Sequence, residues 1–167
     1  LARKAAQWTL NARGPKEKVA ALYQKVANQI RYVGLEFGVH SFRPAWPEET
    51  LNRGFGDCKD RAALLIALSA TLGIEAQFVL ARTRPRGLVD EGTASMAIFD
   101  HALVYFPALG KFLDPTADGN DPWSLPPEDQ GAQVLVINRA DKKAQGSLET
   151  IPIQSAQTQR SELRMDV

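Results

Sequence analysis

Three residues able to do covalent chemistry together stand out in this 167-residue chain: the single cysteine Cys58, the histidine His101 and the aspartate Asp114. Cys58 lies in Gly54-Phe55-Gly56-Asp57-Cys58-Lys59-Asp60-Arg61, which runs directly into Ala62-Ala63-Leu64-Leu65-Ile66-Ala67-Leu68. Two glycines permit a tight turn, Asp57 is a favoured N-cap type, and an apolar run follows. The spacing therefore predicts a buried helix with Cys58 in its first turn. The unpaired N–H groups and positive dipole end at such a position favour a thiolate over a thiol. A cysteine that only packs is expected further along, between Leu64 and Leu72, rather than among Asp57, Lys59, Asp60 and Arg61. Asp57 opposes ionisation of the sulfur unless its carboxylate is committed to capping the helix.

His101 and Asp114 are brought together by strand arithmetic. Phe99 to Phe106 is the clearest strand pattern in the chain, with Ala102, Val104 and Phe106 alternating with His101, Leu103 and Tyr105. Pro107-Ala108-Leu109-Gly110 reads as a turn, and Lys111 to Asp114 as the return strand, stopped by Pro115, which has no N–H to donate. A four-residue connection sets Phe106 opposite Lys111, Leu103 opposite Asp114 and His101 opposite Thr116. His101 and Asp114 are then diagonal neighbours on one face, roughly 5.5–8 Å apart at the backbone. Taken singly, a strand histidine is more often a core residue and an Asp-Pro step more often a turn signal. Taken together, a cysteine at a helix start with a histidine and an aspartate on paired strands supplies a thiol nucleophile, a base to deprotonate it and a group to orient that base.

The elements that must hold these residues follow in order. Leu1 to Asn11 has helix-forming composition and is broken at Gly14-Pro15. Val19, Leu22, Tyr23, Val26 and Ile30 form one apolar face of a second helix from about Pro15 to Arg31. Glycines and prolines punctuate the segment up to the cysteine, and within it only Pro47 to Leu51 looks helical. Phe37, Phe42, Trp46 and Phe55 in that region are candidates to line a cleft or to fold back on the core. The cysteine helix should end at Leu72-Gly73. Strands are expected at Gln77–Ala81, Gln133–Asn138 and Leu148–Ile153, with a polar excursion from Arg82 to Met96 and a polar turn from Arg139 to Gly146. The acidic residues after Thr116 lack the spacing of a calcium loop. The expected layout is one domain over residues 1–154, with 155–167 an extension or the start of a following domain.

Composition excludes several classes. With Lys+Arg at 20 and Asp+Glu at 19, the net charge of +1 gives no basis for nucleic-acid binding. The longest apolar stretch, Ala62 to Ile74, is too short to span a bilayer, and the chain reads as a soluble domain. One cysteine forms no internal disulfide, and two histidines offer little for a zinc site, so neither metal nor another cofactor is expected. The chain begins at Leu1 without a signal peptide and reads as a piece of a longer protein with other domains.

Gly56-Asp57-Cys58-Lys59-Asp60 before an Ala/Leu helix, then Phe99-Asp100-His101-Ala102-Leu103-Val104, then Leu113-Asp114-Pro115-Thr116, resembles the core domain of the transglutaminase-like superfamily. The similarity is greatest to the bacterial branch in which this core follows a large β-rich domain, and it covers approximately Val19 to Ile137. The resemblance implies a papain-like α+β fold, with N-terminal helices and the nucleophile helix packed on an antiparallel sheet. It implies Cys58 as nucleophile, His101 as general base and acid, and Asp114 as the residue that orients His101. It also implies acyl transfer through a thioester on a protein or peptide substrate, with water or an amine as acceptor, and a periplasmic or membrane-associated parent. For the oxyanion, the Cys58 backbone N–H is one expected donor, and Tyr32 and Trp46 are candidates for a second. A peptide-binding or scaffolding module without turnover is the alternative on the same fold, and the accessibility of Cys58 separates the two.

Overall fold

The computed structural model describes residues 1–34, 42–89, 92, 95–118, 121–140 and 143–154. Phe37 and the segment from Ser155 to Val167 lie outside them. Two helices open the chain, α1 (Ala2–Trp8) and α2 (Gly14–Gln29). Gly14 takes a positive φ of 74° and Pro15 stands in the first turn of α2, where its missing N–H costs nothing. Val19, Leu22, Tyr23 and Val26 on α2, and Ile30 just beyond it, are all buried, as their spacing predicts. A two-residue strand β1 (Arg31–Tyr32) pairs in parallel with β2 (Phe55–Gly56), and helix α3 (Pro47–Arg53) lies between them in sequence.

Helix α4 (Cys58–Thr71) follows β2 at once and is the central helix of the fold. Leu64, Leu65 and Leu68 are fully buried, and each contributes about 2 kcal/mol of burial free energy. The helix stops at Leu72, and Gly73 turns the chain with a φ of 71°.

The remaining strands are β3 (Gln77–Arg82), β4 (His101–Phe106), β5 (Lys111–Leu113), β6 (Gln133–Ala140) and β7 (Lys143–Thr150). They form one antiparallel sheet in the order β5-β4-β3-β6-β7. Ala102, Val104, Phe106 and Leu113 face the helices, where they join the core built by α2 and α4. Val79, Ala81, Leu103, Val134 and Val136 face the other way and are covered by Leu125 and Ile151. The result is the expected α+β layering, with the helices on one face of an antiparallel sheet. No helix among the described residues is long and apolar enough to cross a membrane.

The register of the β4–β5 hairpin is the one that the turn length predicts: Phe106 opposes Lys111, Tyr105 opposes Phe112 and Val104 opposes Leu113. The ends of β3, β5 and β6 shift by one or two residues from expectation, and two larger differences stand out. Strand β4 begins at His101 rather than Phe99. The last strand spans Lys143–Thr150 rather than Leu148–Ile153, so the polar turn expected from Arg139 to Gly146 is mostly paired backbone. Residues 145–150 are exposed on this edge strand, so burial imposed no apolar alternation there for the sequence to display.

Candidate active site

The Gly-Asp-Cys-Lys-Asp segment sets the geometry of the sulfur. Asp57 is the N-cap of α4: its Oδ1 accepts the Asp60 N–H at 3.2 Å, and Asp60 Oδ2 accepts the Asp57 N–H at 3.3 Å, a reciprocal capping box. Lys59 pairs with the other Asp57 oxygen. The carboxylate that threatened to oppose the sulfur is therefore neutralised twice, by the helix N–H groups and by an ammonium. Asp60 also accepts from the Ala45 N–H at 2.8 Å and from Arg53 Nη2 at 2.6 Å, which ties α3 and the loop before it to the start of α4. Gly56 is a glycine because a Cβ there would fall 2.7 Å from the Asp60 Cβ.

Cys58 occupies the first position of α4 and is partly exposed. Together with Lys59 and His101 it opens onto a cavity of about 480 Å³ whose walls include Phe42, Phe78, Leu80, Phe99 and Ile137. The Cys58 backbone N–H belongs to the first turn of the helix and has no intrahelical acceptor, the kind of group that can serve as a donor to an oxyanion.

His101 is the first residue of β4 and Asp114 follows the last residue of β5, so both stand at the same end of the sheet. By alternation they belong to the face of Leu103 and Phe112, away from α4. At the strand end the ring also reaches the helix side, where it lines the cavity with Cys58. His101 Nε2 lies 3.2 Å from Asp114 Oδ2. The other oxygen of Asp114 accepts the Thr116 N–H at 2.8 Å and the Thr116 hydroxyl at 2.7 Å.

Burial alone would lower the pKa of His101. Hydrogen bonds to Asp114 and Cys58 and the charges of the same two groups outweigh it, and the value is pushed up to about 11. Burial would raise the pKa of Asp114, but the hydrogen bond and charge of His101 and the Thr116 donors hold it below the usual aspartate value. The arrangement favours a positively charged imidazole between a carboxylate and a sulfur, which suits it to passing a proton between the sulfur side and a bound group.

The structure thus gathers Cys58, His101 and Asp114. Tyr32 and Trp46 do not join them: neither lines the cavity. The Tyr32 ring lies under the Arg61 guanidinium, 5.6 Å from its centroid, and Trp46 is 69 % exposed beside Arg43. Of the other aromatics considered for the cleft, Phe42 lines it and Phe55 packs under Arg53.

Two further residues complete the surroundings: Arg61, expected only as one of the charges around the sulfur, and Asp129, which the sequence did not mark. Arg61 is buried, with hydrogen bonds to the carbonyls of Ile30 and Pro115 and to Asp118. Asp129 is fully buried, and its carboxylate, a ring nitrogen of His101 and an oxygen of Asp114 lie within 4.8 Å of one another. The Asp114 oxygens are already taken by Thr116 and His101, so this cluster has the character of a proton-sharing group rather than an oxygen cage for a cation.

The family model described as the transglutaminase-like superfamily matches residues 2–109, a span that ends before Asp114 and Asp129. No curated protein matches the sequence. Two solved structures share the fold. One, a protease candidate from Parabacteroides distasonis, is 15% identical with a TM-score of 0.68, over 93% of this chain and 28% of its own. The other, a cysteine protease candidate from Cytophaga hutchinsonii, is 18% identical with a TM-score of 0.52, over 95% of this chain and 52% of its own. The chain therefore spans about a quarter of one of these proteins and about half of the other.

Proposed function

The chain belongs to the transglutaminase-like superfamily, and from that premise we propose that it catalyses thiol-dependent acyl transfer or amide hydrolysis on a protein or peptide substrate. Cys58 is the nucleophile, His101 the general base and acid, and Asp114 the group that orients His101. The observation that carries this reading is the His101 imidazole, whose Nε2 lies 3.2 Å from Asp114 Oδ2 while the ring lines one cavity with Cys58.

The steps follow from that arrangement. The Cys58 sulfur, its proton held by His101, attacks a carbonyl carbon. The oxyanion that forms is stabilised by the backbone N–H at the start of α4. The C–N bond breaks as His101 gives its proton to the departing amine, leaving a thioester on Cys58. Water or an incoming amine then attacks the thioester, His101 takes the proton, and the sulfur leaves. Asp114 holds the ring in place and balances its charge throughout, without itself becoming protonated.

The cavity supports a substrate class as well. Its walls are mostly aromatic and aliphatic, with Lys59 and Asp100 beside the reacting groups, and about 480 Å³ is enough for one large apolar side chain and the backbone around it. A peptide with a bulky apolar residue next to the reacting carbonyl suits these walls better than a polar glutamine side chain presented alone.

The test is a panel of fluorogenic peptides and glutamine-containing acceptor pairs, with product analysis by mass spectrometry and Cys58→Ala as control. Turnover lost in Cys58→Ala, with a trapped acyl-enzyme in the wild type, is expected. Saturable peptide binding without turnover by the wild type would replace the enzyme reading with a binding module.

A further inference from the structure

Asp129 has no assigned part in the chemistry above, yet it is pressed against it. It is fully buried, and neither carboxylate oxygen has a hydrogen-bond partner. Its backbone is fixed in the turn after Pro126, whose carbonyl accepts the Asp129 N–H at 3.1 Å. The charged and titratable groups around it are His101 from β4, Asp114 from the end of β5 and Glu128 from its own turn. Cys58 lies beyond the imidazole, and Arg84, exposed, meets the turn through its backbone N–H to the Glu128 carbonyl at 2.8 Å.

Two ionised carboxylates this close to one imidazole repel each other strongly in a buried site. Asp114 has donors on both oxygens: the Thr116 N–H and hydroxyl on one, His101 on the other. Asp129 has none. The charge therefore belongs on Asp114 and the proton on Asp129.

Resting on the acyl-transfer reading, we propose that Asp129 is a positioning residue: a protonated, buried carboxylic acid that donates a hydrogen bond to Asp114, so that one negative charge rather than two holds the His101 imidazolium. The proton passes between Asp129 and solvent, and no other bond changes. Burial first, then the charge of Asp114, push the Asp129 pKa up to about 7, with the His101 charge pulling the other way. The group is thus poised to change charge near neutrality. With Asp129 protonated, the negative charge of Asp114 is shared and His101 releases its proton to a leaving amine more readily. With Asp129 ionised, a second negative charge holds the imidazolium and slows that transfer.

The experiment uses NMR on histidine-labelled protein, with the His101 signals identified by their loss in His101→Gln. Between pH 5 and 9 the ring itself stays charged, so an inflection near 7 in its shifts reports a neighbour's titration. That inflection is expected in the wild type, should persist in Glu128→Gln, and should vanish in Asp129→Asn, whose amide still donates to Asp114. In peptide turnover, wild-type kcat should fall about tenfold as pH rises through the inflection. Asp129→Asn should flatten that profile, while Asp129→Leu, without a donor, should lower kcat at every pH with little change in KM. An inflection that survives in Asp129→Asn, disappears in Glu128→Gln, or is absent from the wild type overturns the proposal. Should both Asp129 variants fail to fold, the wild-type and Glu128→Gln titrations still decide it. A Cys58 inert to iodoacetamide and to every peptide would overturn the acyl-transfer reading instead, leaving the Asp129–Asp114 proton to be judged by the titration alone.

Discussion

Arg61 Nη1 donates to the Pro115 carbonyl at 3.1 Å, so the helix that begins with Cys58 grips the chain one residue beyond Asp114. The same nitrogen reaches Asp118 at 2.7 Å, and the other terminal nitrogen bonds the Ile30 carbonyl at the end of α2. From α2, the Tyr23 hydroxyl donates to the Ala117 carbonyl at 2.9 Å. The segment that carries Asp114 is thus tied to both central helices, and the placement of the carboxylate relative to the sulfur does not depend on the sheet alone. Three of the four contacts are to backbone carbonyls, and the fourth pairs the guanidinium with Asp118.

Arg61→Met should be strongly destabilising. It leaves the Ile30 and Pro115 carbonyls without a donor in a buried place, a loss of about 3 kcal/mol or more. Denaturant unfolding checks this. The Asp114 segment should also loosen, so His101 titration by NMR should shift toward an ordinary histidine. An unchanged unfolding midpoint would mean that the clamp contributes nothing.

Gly56→Ala should cost about 1–3 kcal/mol through overpacking, because the added methyl meets the Asp60 Cβ at 2.7 Å. The displaced Asp60 would release Arg53 and the Ala45 N–H together. Thermal unfolding of Gly56→Ala beside Gly54→Ala separates the causes. Gly54 has open space around its missing Cβ and a φ of 71°, so its loss reports backbone strain alone.

The parts of this site that local chemistry dictates could be read from the sequence. Asp57 before an apolar run gives the cap, and the four residues from Pro107 to Gly110 give the hairpin register that makes His101 and Asp114 diagonal neighbours. What could not be read is where long side chains turn. Lys59 and Arg61 look like a charged shell around the sulfur, yet one folds back onto Asp57 and the other runs through the core to Pro115. Asp129 gave no signal at all. It sits in a proline-rich turn, the setting of an ordinary solvated aspartate, and only the packing of that turn against β4 and β5 buries it. Tyr32 and Trp46 were candidates by position in the chain, and position does not fix whether a ring faces a cavity.

Stability should peak on the acid side of neutrality. The His101 pKa is raised to about 11, so its contribution is complete below the ordinary histidine value and is lost as pH rises toward 11. Asp129, raised to about 7, acts in the same direction, and its contribution fades between the ordinary aspartate value and 7. Asp114 is lowered, so its contribution is present above the ordinary aspartate value and lost as pH falls below it. Urea midpoints measured from pH 3 to 10 should therefore fall on both sides of a maximum near the ordinary aspartate value of about 4, where the rise due to Asp114 ends and the decline due to Asp129 begins. His101→Gln should flatten the alkaline limb. A maximum at or above pH 8 would contradict the assignment of a charged, doubly hydrogen-bonded imidazole.

Asp114→Asn separates architecture from chemistry. The amide keeps the size of the carboxylate, and its oxygen can still accept the Thr116 N–H and hydroxyl, so the turn before Pro115 should survive. What it loses is the charge facing His101 Nε2. Either the amide presents its oxygen and the imidazolium loses a full negative neighbour, or it presents its NH₂ group and the ring is driven to the wrong tautomer. In both cases the proton that belongs between His101 and Cys58 is misplaced, and acyl transfer should fall by about 10⁴-fold with little change in unfolding temperature. Cys58→Ala should abolish turnover and leave the melting temperature near the wild-type value or above it, because reactive groups are often held at some expense to stability. Measured side by side, these variants distinguish the roles. If Asp114 served only the turn, Asp114→Asn would retain nearly full activity and the unfolding temperature would be the quantity that moved. A fully active Asp114→Asn protein would remove Asp114 from the proposed mechanism, and with it the reason for Asp129 to hold a proton beside it.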